Sequence, residues 1–174
     1  MNLKKSGDVT LELRVNSFDP VVHSWQKGGL MVRESLASNS RHYSYFVTGS
    51  NGLSTHWRET TNGGMGHNTK WSEKSKPVYL QVTKEGSSFT TAYKYEKDAE
   101  WIPHDGPRTI NFDESESDEF YVGIAVTSHN NGALATLDAA DLVIIDNVDE
   151  PEAVVQANAG VIEGEGGRRL RKGV

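Results

Sequence analysis

Residues 119–132, Glu-Phe-Tyr-Val-Gly-Ile-Ala-Val-Thr-Ser-His-Asn-Asn-Gly, form the longest apolar run of the chain and restrict its folding more than any other stretch. Side chains of an extended segment alternate with period two, so Val122, Ile124 and Val126 share one face while Tyr121, Gly123, Ala125 and Thr127 share the other. Both faces are apolar or small. The pattern predicts a central strand covered on both sides, with Gly123 and Ala125 admitting a second layer closely and Asn130-Asn131-Gly132 turning the chain.

The remaining segments repeat the same period. Val9, Leu11, Leu13 and Val15 alternate with Thr10, Glu12, Arg14 and Asn16, a strand with one wet face that stops at Asp19-Pro20. Strands are also expected over Leu30–Leu36, Tyr43–Thr48, Leu53–Arg58, Pro77–Thr83, Phe89–Tyr95, Arg108–Phe112, Leu134–Leu137 and Leu142–Val148. Gly49-Ser50-Asn51-Gly52 joins two of them as a hairpin, and the simplest assignment of the second strand puts Leu53 and Trp57 inside. Asn62–Asn68 reads as a glycine-rich loop without the following helix that a phosphate cradle requires. Short strands, Gly/Asn/Ser turns and no amphipathic helix together predict an all-β antiparallel sandwich. The expected organisation is a lead over 1–7, one sandwich over 8–148, and a flexible tail over 149–174, first acidic and then basic.

Charge and composition narrow the partners. The 174 residues suffice for one domain with a real core. A net charge of −6 argues against nucleic acid or an anionic membrane as the main partner, since phosphate binding needs a concentrated excess of Lys and Arg. The chain has no cysteine, which removes disulfides, thiolate metal sites and a cysteine nucleophile. No stretch has the roughly 18 to 20 apolar residues of a membrane span. Ser6-Gly7-Asp8 follows the basic start where a signal peptide would need an apolar run.

Four phrases carry a family likeness: Trp25–Leu36, Asn51–Arg58, Tyr79–Val82 together with Phe89–Tyr93, and Tyr121–Gly132. In order and spacing they resemble the concanavalin A-like (laminin G/DUF1349-type) jelly-roll modules of bacterial surface and secreted proteins, which are often appended to carbohydrate-active enzymes. The resemblance covers about residues 8 to 148. It implies a lectin-like jelly roll, an extracellular or cell-surface location, and a glycan or a surface protein as partner. The strand that such modules usually carry before the equivalent of Asp8 is not apparent, which implies either a trimmed domain or a sheet edge left open for another chain to complete.

Three chemistries are weighed on that frame. Glucanases of this fold carry Glu-X-Asp-X-Glu on one strand, and Glu116-Ser117-Asp118-Glu119-Phe120 supplies only its first two carboxylates, in a segment that reads as a loop. Calcium could draw on Asp113, Glu114, Glu116, Asp118 and Glu119, or on Asp138 and Asp141, but no spacing matches a defined calcium loop, so no cofactor is expected. For glycan binding the aromatic candidates are Tyr43, Tyr45, Trp57, Trp71 and Trp101, and the polar ones Arg33, Glu34, His56, Arg58, His129 and Asn130. Each has a plainer role: Trp25 and Trp57 as core, His129 and Asn130 as turn chemistry, Arg33 and Glu34 as partners of Arg58 or Glu59. The expectation is a non-catalytic module that binds carbohydrate or a surface partner through a concave sheet and its loops. The alternative is an assembly subunit that associates through an open edge with copies of itself or with a larger protein.

Overall fold

The computed structural model describes residues 2–70, 77–112 and 119–147. Eleven strands follow one another: β1 (Asn2–Lys5), β2 (Val9–Asp19), β3 (Lys27–Arg33), β4 (His42–Thr48), β5 (Leu53–Arg58), β6 (Gly66–Lys70), β7 (Val78–Glu85), β8 (Ser88–Lys94), β9 (Ile102–Thr109), β10 (Phe120–Thr127) and β11 (Thr136–Asp146). They form two antiparallel sheets, a six-stranded one ordered β1-β10-β3-β4-β5-β6 and a five-stranded one ordered β11-β2-β7-β8-β9. The architecture is a β-sandwich, as the alternation requires. No helix among the described residues is long and apolar enough to cross a membrane.

Alternation decides which side of each strand meets the other sheet. Val9, Leu11, Leu13 and Val15 of β2 and Val78, Leu80 and Val82 of β7 are fully buried, facing Leu30, Val32, Tyr43, Tyr45 and Val47 of the six-stranded sheet. Each such side chain contributes about 1.5–3 kcal/mol of transfer free energy. Two glycines let the layers close. A Cβ on Gly28 would lie 2.8 Å from Leu137 Cδ1, so that leucine of β11 packs into the space the missing side chain leaves. Gly29, at φ 156°, would place a Cβ 2.3 Å from the Tyr45 carbonyl oxygen.

Several boundaries differ from the sequence expectation. Residues 2–5, read as a lead, form β1 and pair antiparallel with Phe120–Gly123 of β10, so the edge expected to be open is occupied. Four polar-rich residues give no periodic signal; their partner strand holds them, together with the ion pairs Lys4–Glu119 and Lys5–Asp146. β10 is internal and buried at Phe120 and Val122, but its covering ends beyond Gly123 and Val126 is 49% exposed. The expectation of burial on both sides along its length is corrected accordingly. The glycine-rich stretch ends in β6, and the segment with Pro103 and Pro107 is β9. Both are sheet edges, where a residue without an N–H donor, or without a side chain, is tolerated because one side of the ladder is unpaired. The tail over 149–174 lies outside the described residues.

Candidate functional site

Cross-strand register assembles the outward face of the six-stranded sheet from four rows. Tyr121, Arg33, His42 and Arg58 make one, and Gly123, Met31, Ser44, His56 and His67 the next. Ala125, Gly29, Phe46, Ser54 and Thr69 follow, and Thr127, Lys27 and Thr48 close the series. This face is unlike an ordinary wet one. His42, Ser44, Phe46, Thr48 and Ser54 are buried, so β4 is buried on both sides along its whole length.

A hollow of about 290 Å3 opens on this face. Met31 and Phe46 form its apolar floor, the Ala125–Thr127 end of β10 one wall, and Met65 of the β5–β6 loop a partial cover; His42, His56 and Lys27 supply the polar groups. A ladder of rings runs beside it: Phe46 to His56 at 5.7 Å, His56 stacked on His67 at 5.7 Å, and Trp25 edge-on to His67 at 6.1 Å. The larger hollow, about 670 Å3, lies where β1 meets the end of β11; there Lys4, Glu119, Lys5 and Asp146 are already committed to one another. Among the described residues no carboxylate lines the outward-face hollow, so its polar groups are not paired off as ions within it.

Electrostatics keep both groove histidines neutral. Burial, reinforced by Arg58 and Arg33, pushes His42 down to about 4, and burial with Lys27 does the same to His56. His42 Nε2 lies 3.3 Å from Met65 Sδ and its Nδ1 3.0 Å from Ser44 Oγ. A thioether can only accept, so the network assigns the proton to Nε2 and leaves Nδ1 to accept from the serine. His56 Nε2 shares Ser54 Oγ at 2.9 Å, and that hydroxyl also meets Thr69 Oγ1 at 2.8 Å. Lys27 is half-buried, which lowers its pKa, and donates to the Trp25 carbonyl at 3.1 Å.

The structure redistributes the residues singled out from the sequence. His56 lines the groove, and Arg33 and Arg58 flank it on the row of His42. Their guanidinium groups are taken up by loop backbone: Arg33 donates to the Ser35 and Ala37 carbonyls, Arg58 to those of Ser38, Ser40 and Gly63. Arg58 and Arg33 are therefore like-charged neighbours, and Glu34 meets Arg41 at 3.8 Å. Tyr43 and Tyr45 face inward and are fully buried, which corrects their assignment as a stacking platform. Burial raises both phenols above their ordinary range; Tyr43 donates to Asp105 Oδ2 at 3.0 Å and Tyr45 Oη lies 2.7 Å from His104 Nδ1.

Trp57 also points inward, with the Arg108 guanidinium 3.4 Å from its ring centroid. Trp101 belongs to the other sheet's side, under Lys94 at 4.5 Å, and does not join the groove. His129, in the β10–β11 turn, packs its ring at a tilt against His23 with centroids 4.4 Å apart, while Asn130 donates to the Val22 carbonyl at 3.3 Å; both hold the turn at the groove's end. Trp71 and the acidic stretch 113–118 lie outside the described residues. Among the described residues no group of three or more His, Asp or Glu side chains is placed to hold a metal ion. Sequence reasoning missed Met31, His42, Phe46, Met65, His67 and Lys27. The signal was present: with Leu53 and Trp57 inside, the hairpin forces Val47, Tyr45 and Tyr43 inside and turns His42, Ser44 and Phe46 outward.

The chain matches no protein-family model and no curated protein by sequence. Its fold is similar to that of solved structures. A functionally unknown protein from Saccharomyces cerevisiae superposes with a TM-score of 0.65 at 17% identity over 85% of this chain and 74% of that one. The GH43 protein BlXynB from Bacillus licheniformis gives 0.61 at 17% identity over 82% of this chain, and a xylan beta-1,4-xylosidase from Bacillus halodurans gives 0.55 at 16% over 80%. This chain spans 28% of each of those two. These likenesses establish the jelly-roll sandwich without fixing the laminin G/DUF1349 type. They also correct the expectation of a non-catalytic module: sandwiches of this shape occur within a xylosidase chain, so the fold gives no ground for excluding catalysis.

Proposed function

We propose that the chain is a carbohydrate-binding β-sandwich module whose ligand lies across the outward face of the six-stranded sheet. The observation that carries this reading is the combination at one place of an apolar floor, a four-ring ladder and neutral imidazoles. A sugar ring presents C–H faces to apolar or aromatic groups and hydroxyls to planar polar side chains, and small-molecule sites are concave, mostly apolar and sparingly polar. At about 290 Å3 the hollow is near the lower end of the roughly 300–1,000 Å3 typical of such sites, suited to a short saccharide. His42 spends both ring nitrogens on Met65 and Ser44, so the imidazole offered to a sugar hydroxyl is that of neutral His56, through Nδ1, without the desolvation cost of a charge. That xylosidases share the fold makes xylo-oligosaccharides the first ligands to test.

Titration calorimetry with a panel of neutral and acidic xylo-oligosaccharides tests the reading. Binding should weaken about fivefold in His56→Ala or His67→Ala, the scale of one aromatic contact, and stay unchanged in Trp101→Ala. A panel that shows no heat and no amide shifts on β3, β4 and β5 at millimolar sugar would refute it.

A further inference from the structure

The outward face has a charge bias that the chain as a whole lacks. The protein carries 24 acidic residues against 18 Lys and Arg. Yet among the described residues no outward position of β3, β4, β5, β6 or β10 holds a carboxylate, whereas Lys27, Arg33 and Arg58 all lie there. The three cations are not equivalent. Arg33 and Arg58 spend their donors on loop carbonyls. Lys27 lines the hollow itself; the Trp25 carbonyl takes one of its three N–H groups, and no carboxylate pairs with it among the described residues. A half-buried ammonium facing an apolar hollow without a counter-charge is costly to hold, and an anionic ligand group would relieve that cost.

We infer that the groove selects a saccharide bearing a carboxylate, a uronic acid, with Lys27 as the specificity-determining residue that receives it. The inference rests on the carbohydrate reading of the same groove. The sugar ring lies over Met31 and Phe46 toward His56, and its carboxylate reaches the Lys27 end, where the hydroxyl-bearing Thr127 is the cross-strand neighbour. The ammonium offers charge-assisted hydrogen bonds that a neutral hydroxymethyl group cannot match. Burial favours loss of the Lys27 proton in the empty groove, so a bound carboxylate would hold that proton more firmly.

The experiment compares a glucuronate-bearing xylo-oligosaccharide with the same oligosaccharide after reduction of its carboxyl to the alcohol, by calorimetry on the full chain. The acidic form should bind about tenfold tighter, a preference that shrinks as salt is raised. In Lys27→Met, which keeps the length of the side chain, and in Lys27→Gln, the ratio of the two affinities should fall to about one; thermal melts of both variants show that they are folded. Equal binding of the two sugars by the native chain would overturn the inference while leaving carbohydrate recognition in place, as would a preference retained in both variants. Absence of binding to either sugar would overturn both.

Discussion

Single residues at the groove's margin carry more of the structure than their solvent-facing rows suggest. Gln26 is fully buried and satisfied on every side: its Oε1 accepts from Val22 N at 2.8 Å and His23 N at 3.3 Å, and its Nε2 donates to the Phe18 and Pro20 carbonyls at 3.2 Å. Gln26→Leu removes all four of those hydrogen bonds at once from a fully buried site and should cost about 2–4 kcal/mol, read from denaturant midpoints at an unchanged slope. Gly29→Ala should cost about 2–4 kcal/mol as well, since the added carbon meets the Tyr45 carbonyl in a backbone conformation that disfavours it. Neither role could be read in advance. A glutamine after Trp25 carries no periodic signal, because its partners are carbonyls that only the folded loop brings near. The histidines set the pH response. His42, His56 and His104 all titrate near 4 in the fold, burial being the main cause in each, against about 6.5 in an unfolded chain. Above pH 6.5 the rings are neutral in both states. Between 6.5 and 4 the unfolded chain takes up protons that the fold refuses, so stability should fall as pH drops through that window. Melting temperatures that stay level from pH 7 to pH 4 would contradict it.

Among the elements, β1 is the least expected. Its four residues cover one side of β10, so β10 becomes internal and the sheet edge passes to a short strand carrying two lysines, a device that discourages edge-to-edge pairing. Deleting residues 1–5 should bare the β10 ladder and promote association, visible as a concentration-dependent rise in mass by light scattering; a strictly monomeric truncated chain would remove this role from β1. Strands with one wet and one dry face were legible from sequence: β2, β7 and β8 follow their alternation almost residue for residue. The edges β1, β6 and β9 were not, because short, glycine-bearing or proline-bearing strands are held by a neighbour and not by their own pattern. The faces of β4 were also misassigned. Tyr43 and Tyr45 are amphipathic enough to serve as platform or core, and only the register with β5 decides between them.

At the scale of the whole molecule the two sheets are joined by more than apolar packing. Near the β6 and β9 edges Asp105 accepts from Tyr43 Oη and, at 2.9 Å, from Asn68 Nδ2, and Thr55 and Thr91 meet across the layers at 3.2 Å. Asp105 thus ties an edge of each sheet to the other. Asp105→Ala removes the carboxylate that accepts from the buried Tyr43 hydroxyl and should cost about 1–3 kcal/mol, with hydrogen exchange accelerating first in β6 and β9. Uniform acceleration across both sheets would show instead that the network does not act locally. The fold class could be inferred from alternation alone, whereas the position of the groove depended on which face each hairpin turned outward. That dependence bears on how such a molecule can diversify. Because β4 is enclosed on both sides, nearly every change along it disturbs the core or the groove floor, and selection for a new ligand has little freedom there. Variation is affordable at the margin, at Lys27, Met65 and Thr127, so descendants of this chain would be expected to change what they recognise by altering the rim while inheriting the centre intact.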